Sequence, residues 1–109
     1  MSAWSKQTIA AVRRNGREVA RSWRFTTIKA ERENRDCISV GEWWVHRPST
    51  WAQEAILHED GKTWQDCYEL DLHWLTALNS VLTKWGWTAS IGGNGKYNDN
   101  DLVLTRSNK

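Results

Sequence analysis

Residues 70–87, LDLHWLTALNSVLTKWGW, show the clearest periodicity in the chain and decide its fold. On a helical wheel with about 100° per residue, the apolar side chains of this stretch fall on one continuous arc. They are Trp74, Leu75, Ala77, Leu78, Val81, Leu82 and Trp85. The opposite side is polar and carries His73, Thr76, Asn79, Ser80, Thr83 and Lys84. The pattern predicts an amphipathic helix that packs against a hydrophobic core.

Both ends of this helix are marked in the sequence. Asp71 is a suitable N-cap, and Leu70 before it can contact Leu75 as a hydrophobic staple. Gly86 suits the left-handed position that follows a helix. The predicted helix therefore runs from about residue 71 to residue 85.

The composition indicates one domain with an unusual aromatic content. A chain of 109 residues, 39% of them hydrophobic, has room for a single modest core over residues 1–109. Nine of the aromatic residues are tryptophans, against two tyrosines and one phenylalanine. An indole N–H requires a hydrogen-bond partner, so we expect some of these rings to remain near the surface and to be available for recognition.

The N-terminal third is interpreted as a β-hairpin over Lys6–Ile28. Asn15-Gly16 is the favoured pair for a two-residue type I′ turn, and the flanking segments contain β-branched and aromatic residues. The alternative is a short helix that is capped by Ser5 and ends at Asn15-Gly16, with a second helix after the turn.

Three further segments complete the predicted fold. Cys37–His46 has the composition of a strand, with Gly41 marking a bulge or a close backbone approach, and Pro48 ends it. Trp87–Ile91 and Leu102–Thr105 pair as a C-terminal hairpin around the polar loop Gly92–Asp101.

Residues 49–70 have two interpretations. Thr50-x-x-Gln53 resembles a capping box before a short helix, whereas Asp60-Gly61 is a typical hairpin turn.

The predicted fold class is therefore α+β. It consists of a small antiparallel sheet, made by the N-terminal and C-terminal hairpins plus a central strand, with the helix at about 71–85 on one face.

The formal net charge of +2 hides a strong segregation along the chain. Residues 1–35 contain nine Lys or Arg and three acids, whereas residues 36–71 contain two Lys or Arg and eight acids. The two parts either neutralise each other in the fold or present opposite patches to a partner or to a second copy of the chain.

No pattern in the chain is typical of a metal, cofactor or catalytic site. The metal-binding residue types are present only without the close spacing of zinc sites: His46, His58, His73, Cys37 and Cys67. The Gly92–Lys96 segment lacks the spacing of a phosphate-binding loop. Glu54 and His58 share a face only if their segment is helical, and no signature links them to a reaction. We therefore expect a non-enzymatic protein without metal or cofactor.

Docking on a protein partner is the preferred function. Tryptophan and arginine are enriched at binding hot spots, and four of them cluster in nine positions: Trp43, Trp44, Arg47 and Trp51. In a strand, Trp43 and Trp44 point to opposite faces, so one of them requires a cover outside the core. The predicted role is that of a small inhibitor or adaptor, a type frequent among viral and mobile-element proteins, with the Gly92–Asp101 loop as an accessory contact.

Binding of single-stranded nucleic acid is the alternative function, through the basic N-terminal hairpin. The arginines that would contact phosphates are Arg13, Arg14, Arg17, Arg21 and Arg24. Nearby aromatic rings would stack on unpaired bases. A carbohydrate-binding module with exposed tryptophans ranks third.

No apolar run has the length of a membrane span, and the start of the chain lacks the pattern of a signal peptide. We therefore expect a cytoplasmic protein in which Cys37 and Cys67 are reduced thiols.

Overall fold

The computed structural model describes residues 4–51, 66–92 and 97–107, which form an α+β fold as the sequence predicts. The helices are α1 (Lys6–Ser22), α2 (Arg24–Arg32), α3 (Trp43–His46), α4 (Pro48–Trp51) and α5 (Cys67–Leu82). A short 3₁₀ turn, Thr83–Trp85, extends α5. The strands are β1 (Cys37–Glu42), β2 (Trp87–Ile91) and β3 (Asp101–Arg106).

The three strands form one antiparallel sheet with the order β1-β3-β2. The predicted C-terminal hairpin is confirmed, since Trp87 lies opposite Arg106 and Ile91 opposite Leu102. Of the two features expected at Gly41, the structure shows the bulge: the register of β1 against β3 shifts between Ser39 and Glu42, and Gly41 has a φ of +112°. At that φ an L side chain would strain the backbone, which explains glycine at this position.

Helix α5 is the predicted core helix, although it begins one turn earlier than expected. Asp66 precedes its first residue, and Asp71 therefore lies inside the helix instead of capping it. At the other end, Gly86 adopts the left-handed conformation that was predicted, with a φ of +83°. Trp74, Leu78 and Leu82 are fully buried along one face of the helix.

The predicted N-terminal hairpin is wrong, because residues 6–22 form helix α1 and Trp23 separates it from α2. The helix begins as the alternative interpretation expected, with Ser5 Oγ accepting from the backbone N–H of Thr8 at 3.1 Å. It does not end at Asn15-Gly16, however, but continues through both residues. Its buried positions Val12, Gly16 and Ala20 have helical spacing.

Asn15 and Gly16 serve helix packing instead of a turn. A Cβ on Gly16 would lie only 2.7 Å from the carbonyl oxygen of Trp74, so only glycine allows α1 to approach α5 this closely. The side chain of Asn15 accepts a hydrogen bond of 2.8 Å from Trp74 Nε1. Tertiary packing thus overrides the local turn signal.

Helices α1 and α5 run parallel to each other. Trp4 Nε1, just before α1, donates to the carbonyl of Asp66 at 3.0 Å, at the start of α5. Further along, Gly16 lies against Trp74 and Leu78, and Arg24 lies over the ring of Trp85. The two helices therefore lie side by side from the start of α5 to Leu78, and the start of α2 then contacts the 3₁₀ turn that follows α5.

Helix α5 also packs against the sheet, which it contacts along β2. Asn79 on α5 makes two hydrogen bonds with the backbone of Ala89: its Nδ2 donates to the carbonyl, and its Oδ1 accepts from the N–H at 2.7 Å. Asn79 thereby occupies backbone groups of an edge strand, which would otherwise be open to pairing with another chain.

Candidate interaction surfaces

The tryptophans separate into buried and exposed groups. The structure describes eight of the nine, and Trp64 lies outside the described residues. Trp4, Trp43, Trp74 and Trp87 are buried, whereas Trp23 and Trp85 are half-buried. The exposed fractions of Trp44 and Trp51 are 52% and 45%. The core thus encloses some indole rings and leaves two others available to solvent.

Trp43 and Trp44 lie on the one-turn helix α3, so the prediction that they belong to a strand is wrong. Strand β1 ends at Glu42, after the irregularity at Gly41, and the N–H of Trp43 makes one last cross-strand hydrogen bond to the carbonyl of Asn100, before β3. The two rings nevertheless point in different directions, one into the core and one into solvent. Trp43 lies against Trp74, with 5.6 Å between the ring centroids, whereas Trp44 points outward.

Arg47 is engaged within the molecule. Its Nη2 lies 2.7 Å from Asp71 Oδ2, and its Nε donates to the same oxygen at 2.9 Å. The guanidinium also lies over the rings of Trp43 and Tyr68, at 5.6 and 4.9 Å from their centroids. Of the four residues predicted to anchor a partner, Trp43 and Arg47 therefore support the fold, and Trp44 and Trp51 face solvent.

Asp71, which the sequence predicts to be the N-cap of the core helix, instead binds side-chain and backbone groups of another segment. Its carboxylate is buried and accepts from the backbone N–H and the hydroxyl of Ser49, each at 3.0 Å, in addition to Arg47. These contacts join α4 and the residue before it to α5. The signal available in the sequence was the position of Asp71 three residues before Trp74, which places it beside the buried arc of the helix.

The first candidate surface, which we term the α3–α4 apolar surface, consists of Trp44, Val45 and Trp51. All three side chains are exposed, although Trp51 Nε1 donates to the carbonyl of His46 and is thereby oriented. Large apolar side chains that are exposed together within eight positions are typical of interaction sites.

An apolar groove of about 260 Å³ lies beside this surface, and we term it the α5–β2 groove. Its lining residues are Trp43, Arg47, Tyr68, Asp71, Leu72, Leu75 and Ile91. Tyr68, Leu72 and Ile91 on its walls are exposed. Trp43 and Arg47 connect the groove to α3, because both line it and both belong to the segment that carries Trp44.

The second candidate surface is the cationic flank of α1, made by Lys6, Arg13, Arg14, Arg17 and Arg21. On the helical wheel these residues occupy one sector to the side of Val12, Gly16 and Ala20. All are exposed except Arg17, which is half-buried. Arg13 Nη2 donates to His73 Nδ1 of α5 at 3.2 Å, which places this flank next to the polar side of α5.

The cationic flank has no compensating carboxylates among the described residues. The ion pairs between them join Arg35 with Glu33, Arg47 with Asp71 and Arg106 with Asp36, and none involves a side chain of α1. Within the described part of the chain, no ion pair joins α1 to the acidic residues of positions 36–71.

Phe25 on α2 is the most exposed of the large apolar residues described, with 87% of its surface accessible. Its neighbour Arg24, one of the predicted phosphate contacts, lies 4.7 Å from the centroid of the Trp85 ring. The other rings of the N-terminal third are less available: Trp4 is buried, and Trp23 meets His46 edge-on at 5.7 Å.

Among residues 4–51, 66–92 and 97–107, no group of three His, Cys, Asp or Glu side chains is arranged to hold a metal ion. Cys37 and Cys67 are thiols and are not joined by a disulfide. Thr50 lies inside α4, which begins at Pro48, so the prediction that it caps a helix starting after it is wrong. Glu54, His58 and Asp60-Gly61 lie outside the described residues, as does the middle of the Gly92–Asp101 loop. At the end of this loop, the Tyr97 hydroxyl donates to the carbonyl of Cys37 at 2.8 Å.

Burial raises the pKa of the Cys67 thiol above its ordinary value, and the nearby carboxylates of Asp71 and Asp66 raise it further. A protonated, buried thiol is a poor nucleophile. Cys67 therefore has the chemistry of a core residue.

Comparisons with protein-family models, with curated proteins and with solved structures find no match for this chain. None of the helices described is long and apolar enough to cross a membrane.

Proposed function

We propose that this protein is a non-enzymatic binding protein, an inhibitor or adaptor, that docks on a protein partner through the α3–α4 apolar surface. The observation that carries the proposal is the exposure of Trp44, Val45 and Trp51 on two consecutive short helices. The role of Trp44 and Trp51 follows the sequence prediction, whereas Trp43 and Arg47 act as the support beneath them.

The support is rigid, which favours binding. Arg47 lies between the Trp43 and Tyr68 rings and is held by Asp71, and Asp71 also holds Ser49 at the start of α4. The backbone that presents Trp44 and Trp51 is thus fixed from both sides. A surface whose anchors are already ordered loses less conformational entropy when a partner binds.

Charge suggests the chemistry of the partner. Glu42 is exposed and directly precedes α3, the helix that carries Trp44 and Val45. An apolar surface next to an exposed carboxylate fits a partner that presents an apolar pocket or ridge bordered by lysine or arginine. The α5–β2 groove would receive one apolar side chain of such a partner.

We propose a cytoplasmic location, a reducing compartment in which Cys37 and Cys67 would remain thiols.

The experiment is photo-crosslinking in the native host, with a benzophenone amino acid at position 44 or 51. Position 105, an exposed threonine on β3, serves as the matched control site. The proposal expects one protein to be crosslinked from positions 44 and 51 and not from position 105. The same protein, purified, should bind the wild type and should bind Trp44→Ala/Trp51→Ala at least tenfold more weakly.

Phe25→Ala is the matched control for this affinity measurement, because it removes an even more exposed aromatic ring from a different helix. A partner that binds all three proteins with equal affinity would contradict the proposal. Equal crosslinking from positions 44, 51 and 105 would contradict it as well.

A further inference from the structure

We infer that the cationic flank of α1, together with Phe25 of α2, is a binding site for single-stranded nucleic acid. The site is separate from the α3–α4 apolar surface, and the inference does not depend on the docking function. It rests on three observations: an ordered row of arginines, the absence of ion pairs to them among the described residues, and an exposed aromatic ring close by in the chain.

The row follows from helix geometry. Arg13, Arg17 and Arg21 are spaced four residues apart in an unbroken helix, so each guanidinium follows the previous one after a rise of about 6 Å. Arg14 and Lys6 broaden the row on the same side of the helix. An extended row of cations can follow a chain of phosphates, whereas a single compact cluster would suit one small anion.

Among the described residues, no ion pair offsets the repulsion between these positive charges. Like charges four residues apart destabilise a helix, and no described carboxylate forms an ion pair with any side chain of the row. Glu18, the one acid in α1, is three or four residues from Arg14 and Arg21, yet it makes no ion pair with either. A bound polyanion would relieve this repulsion and release its own counterions.

The surface continues onto α5. The contact between Arg13 and His73 brings the side of α5 that carries Thr76 next to the row. The acids near this side are Glu69 and Asp66, which lie at the start of the helix and just before it, away from Arg17 and Arg21. The helix thus adds polar side chains near the middle of the row, and Lys84 in the 3₁₀ turn after α5 adds one positive charge near its end.

Phe25 supplies the feature that distinguishes a single strand from other polyanions. Its ring has almost no contact with the protein, and it follows Arg21 by four residues. An exposed ring beside cations can stack on an unpaired base, whereas the bases of a duplex are already stacked on each other. A membrane surface is disfavoured, because Phe25 is the only exposed large apolar residue described in α1 and α2.

The experiment is fluorescence anisotropy of the full chain with labelled 20-nucleotide oligo-dT and oligo-U, from 25 to 300 mM salt. The comparison ligands are a 20-base-pair duplex and anionic lipid vesicles. The inference expects the wild type to bind the single strands more tightly than the duplex or the vesicles. Affinity should fall steeply with added salt.

Two variants test the two parts of the site. Arg13→Ala/Arg17→Ala/Arg21→Ala should lower the slope of log affinity against log salt by about two, since each phosphate contact contributes about 0.7 for single strands. Phe25→Ala should weaken single-strand binding about tenfold and leave the salt slope unchanged, and Phe25→Trp should retain binding. Circular dichroism establishes that each variant is folded.

The matched control is Arg32→Ala/Arg35→Ala/Arg106→Ala, which removes the same number of positive charges from outside α1. It should reduce affinity by less than threefold. Equal losses in the two triple variants would overturn the inference, because binding would then follow net charge alone. Preference for duplex or vesicles, or an unchanged affinity in Phe25→Ala, would also overturn it.

Discussion

Arg47 and Asp71 form an ion pair in which both Nε and Nη2 of the guanidinium contact one carboxylate oxygen, at 2.9 and 2.7 Å. The carboxylate is almost completely buried, and its remaining hydrogen-bonding capacity is used by Ser49. The pair connects the segment that carries the exposed tryptophans to the core helix α5.

Replacing Asp71 by Ala should lower the free energy of unfolding by about 3–5 kcal/mol, because Arg47 and the backbone N–H of Ser49 would lose their acceptor inside the protein. The double variant Asp71→Ala/Arg47→Met should be less destabilised than Asp71→Ala alone, since it leaves no unpaired charge. Urea unfolding measures both. A cost below about 1 kcal/mol for Asp71→Ala would contradict the structural role of the pair.

Gly16→Ala should destabilise the protein, although alanine is the better helix former by about 1 kcal/mol. The added Cβ would lie 2.7 Å from the Trp74 carbonyl oxygen, so α1 would have to move away from α5. We expect a loss of about 2 kcal/mol, in the range for overpacked cores, measured by urea unfolding. Gln7→Ala, an exposed change in the same helix, should have little effect. A stabilised Gly16→Ala protein would mean that the helices are not in close contact.

Asn79→Asp should destabilise the protein more than its small change in shape suggests. The carboxylate can still accept from the N–H of Ala89, but it can no longer donate to the Ala89 carbonyl. We expect a loss of about 1–3 kcal/mol. Hydrogen exchange at the Ala89 amide should be slow in the wild type and fast in Asn79→Ala, which lacks both bonds. Equal exchange rates in the two proteins would argue against this contact.

The two thiols should react at different rates. Cys67 is buried with a raised pKa, whereas Cys37 is half-buried on an edge strand, so a thiol reagent at pH 8 should modify Cys37 first. Cys67 should react only as the protein unfolds. Faster modification of Cys67 in the native protein would contradict its position in the core.

The raised pKa of Cys67 also has a consequence for stability. The folded thiol keeps its proton to higher pH than the unfolded thiol, whose pKa is about 8.5. The contribution of Cys67 is therefore complete below that value and decreases as the pH rises above it. Between pH 7 and 10 the wild type should lose more stability than Cys67→Ala does, and Cys37→Ala should follow the wild type. Parallel curves for wild type and Cys67→Ala would be inconsistent with the shift.

Helix α5 and the C-terminal hairpin could be predicted from sequence because their signals are local and agree with each other. The apolar arc of α5 has a clear helical period, and Gly86 marks its end. The two C-terminal strands are short apolar runs on either side of a polar loop. In both cases the residues that define the element also face the core.

The N-terminal third could not be predicted, because the decisive partner of Gly16 is far away in sequence. Asn15-Gly16 is a strong hairpin signal when only its neighbours are considered. In the structure the two residues lie inside a helix, where Gly16 packs against the Trp74 carbonyl and Asn15 accepts from the Trp74 indole. Asp71 is a similar case, since an acid near a helix start indicates a cap unless Arg47 and Ser49 are known to meet it.

Two of the four predicted docking residues, Trp43 and Arg47, are also held by contacts that are distant in sequence. The density of tryptophan and arginine at 43–51 correctly identified a segment that exposes aromatic rings. The sequence did not indicate which of these residues would be exposed, because the burial of Trp43 depends on Trp74. The basic residues of the first third were likewise identified, but their arrangement as a row required the helix.

Asn79 and Tyr97 have one consequence in common for how this molecule can meet another. Each side chain takes up main-chain groups on an outer strand of the sheet, Asn79 at Ala89 and Tyr97 at Cys37. Another polypeptide would have to break these hydrogen bonds before it could pair with the sheet as an additional strand. Binding through exposed side chains is therefore favoured over edge-to-edge pairing, and copies of this chain are hindered from stacking into an extended sheet.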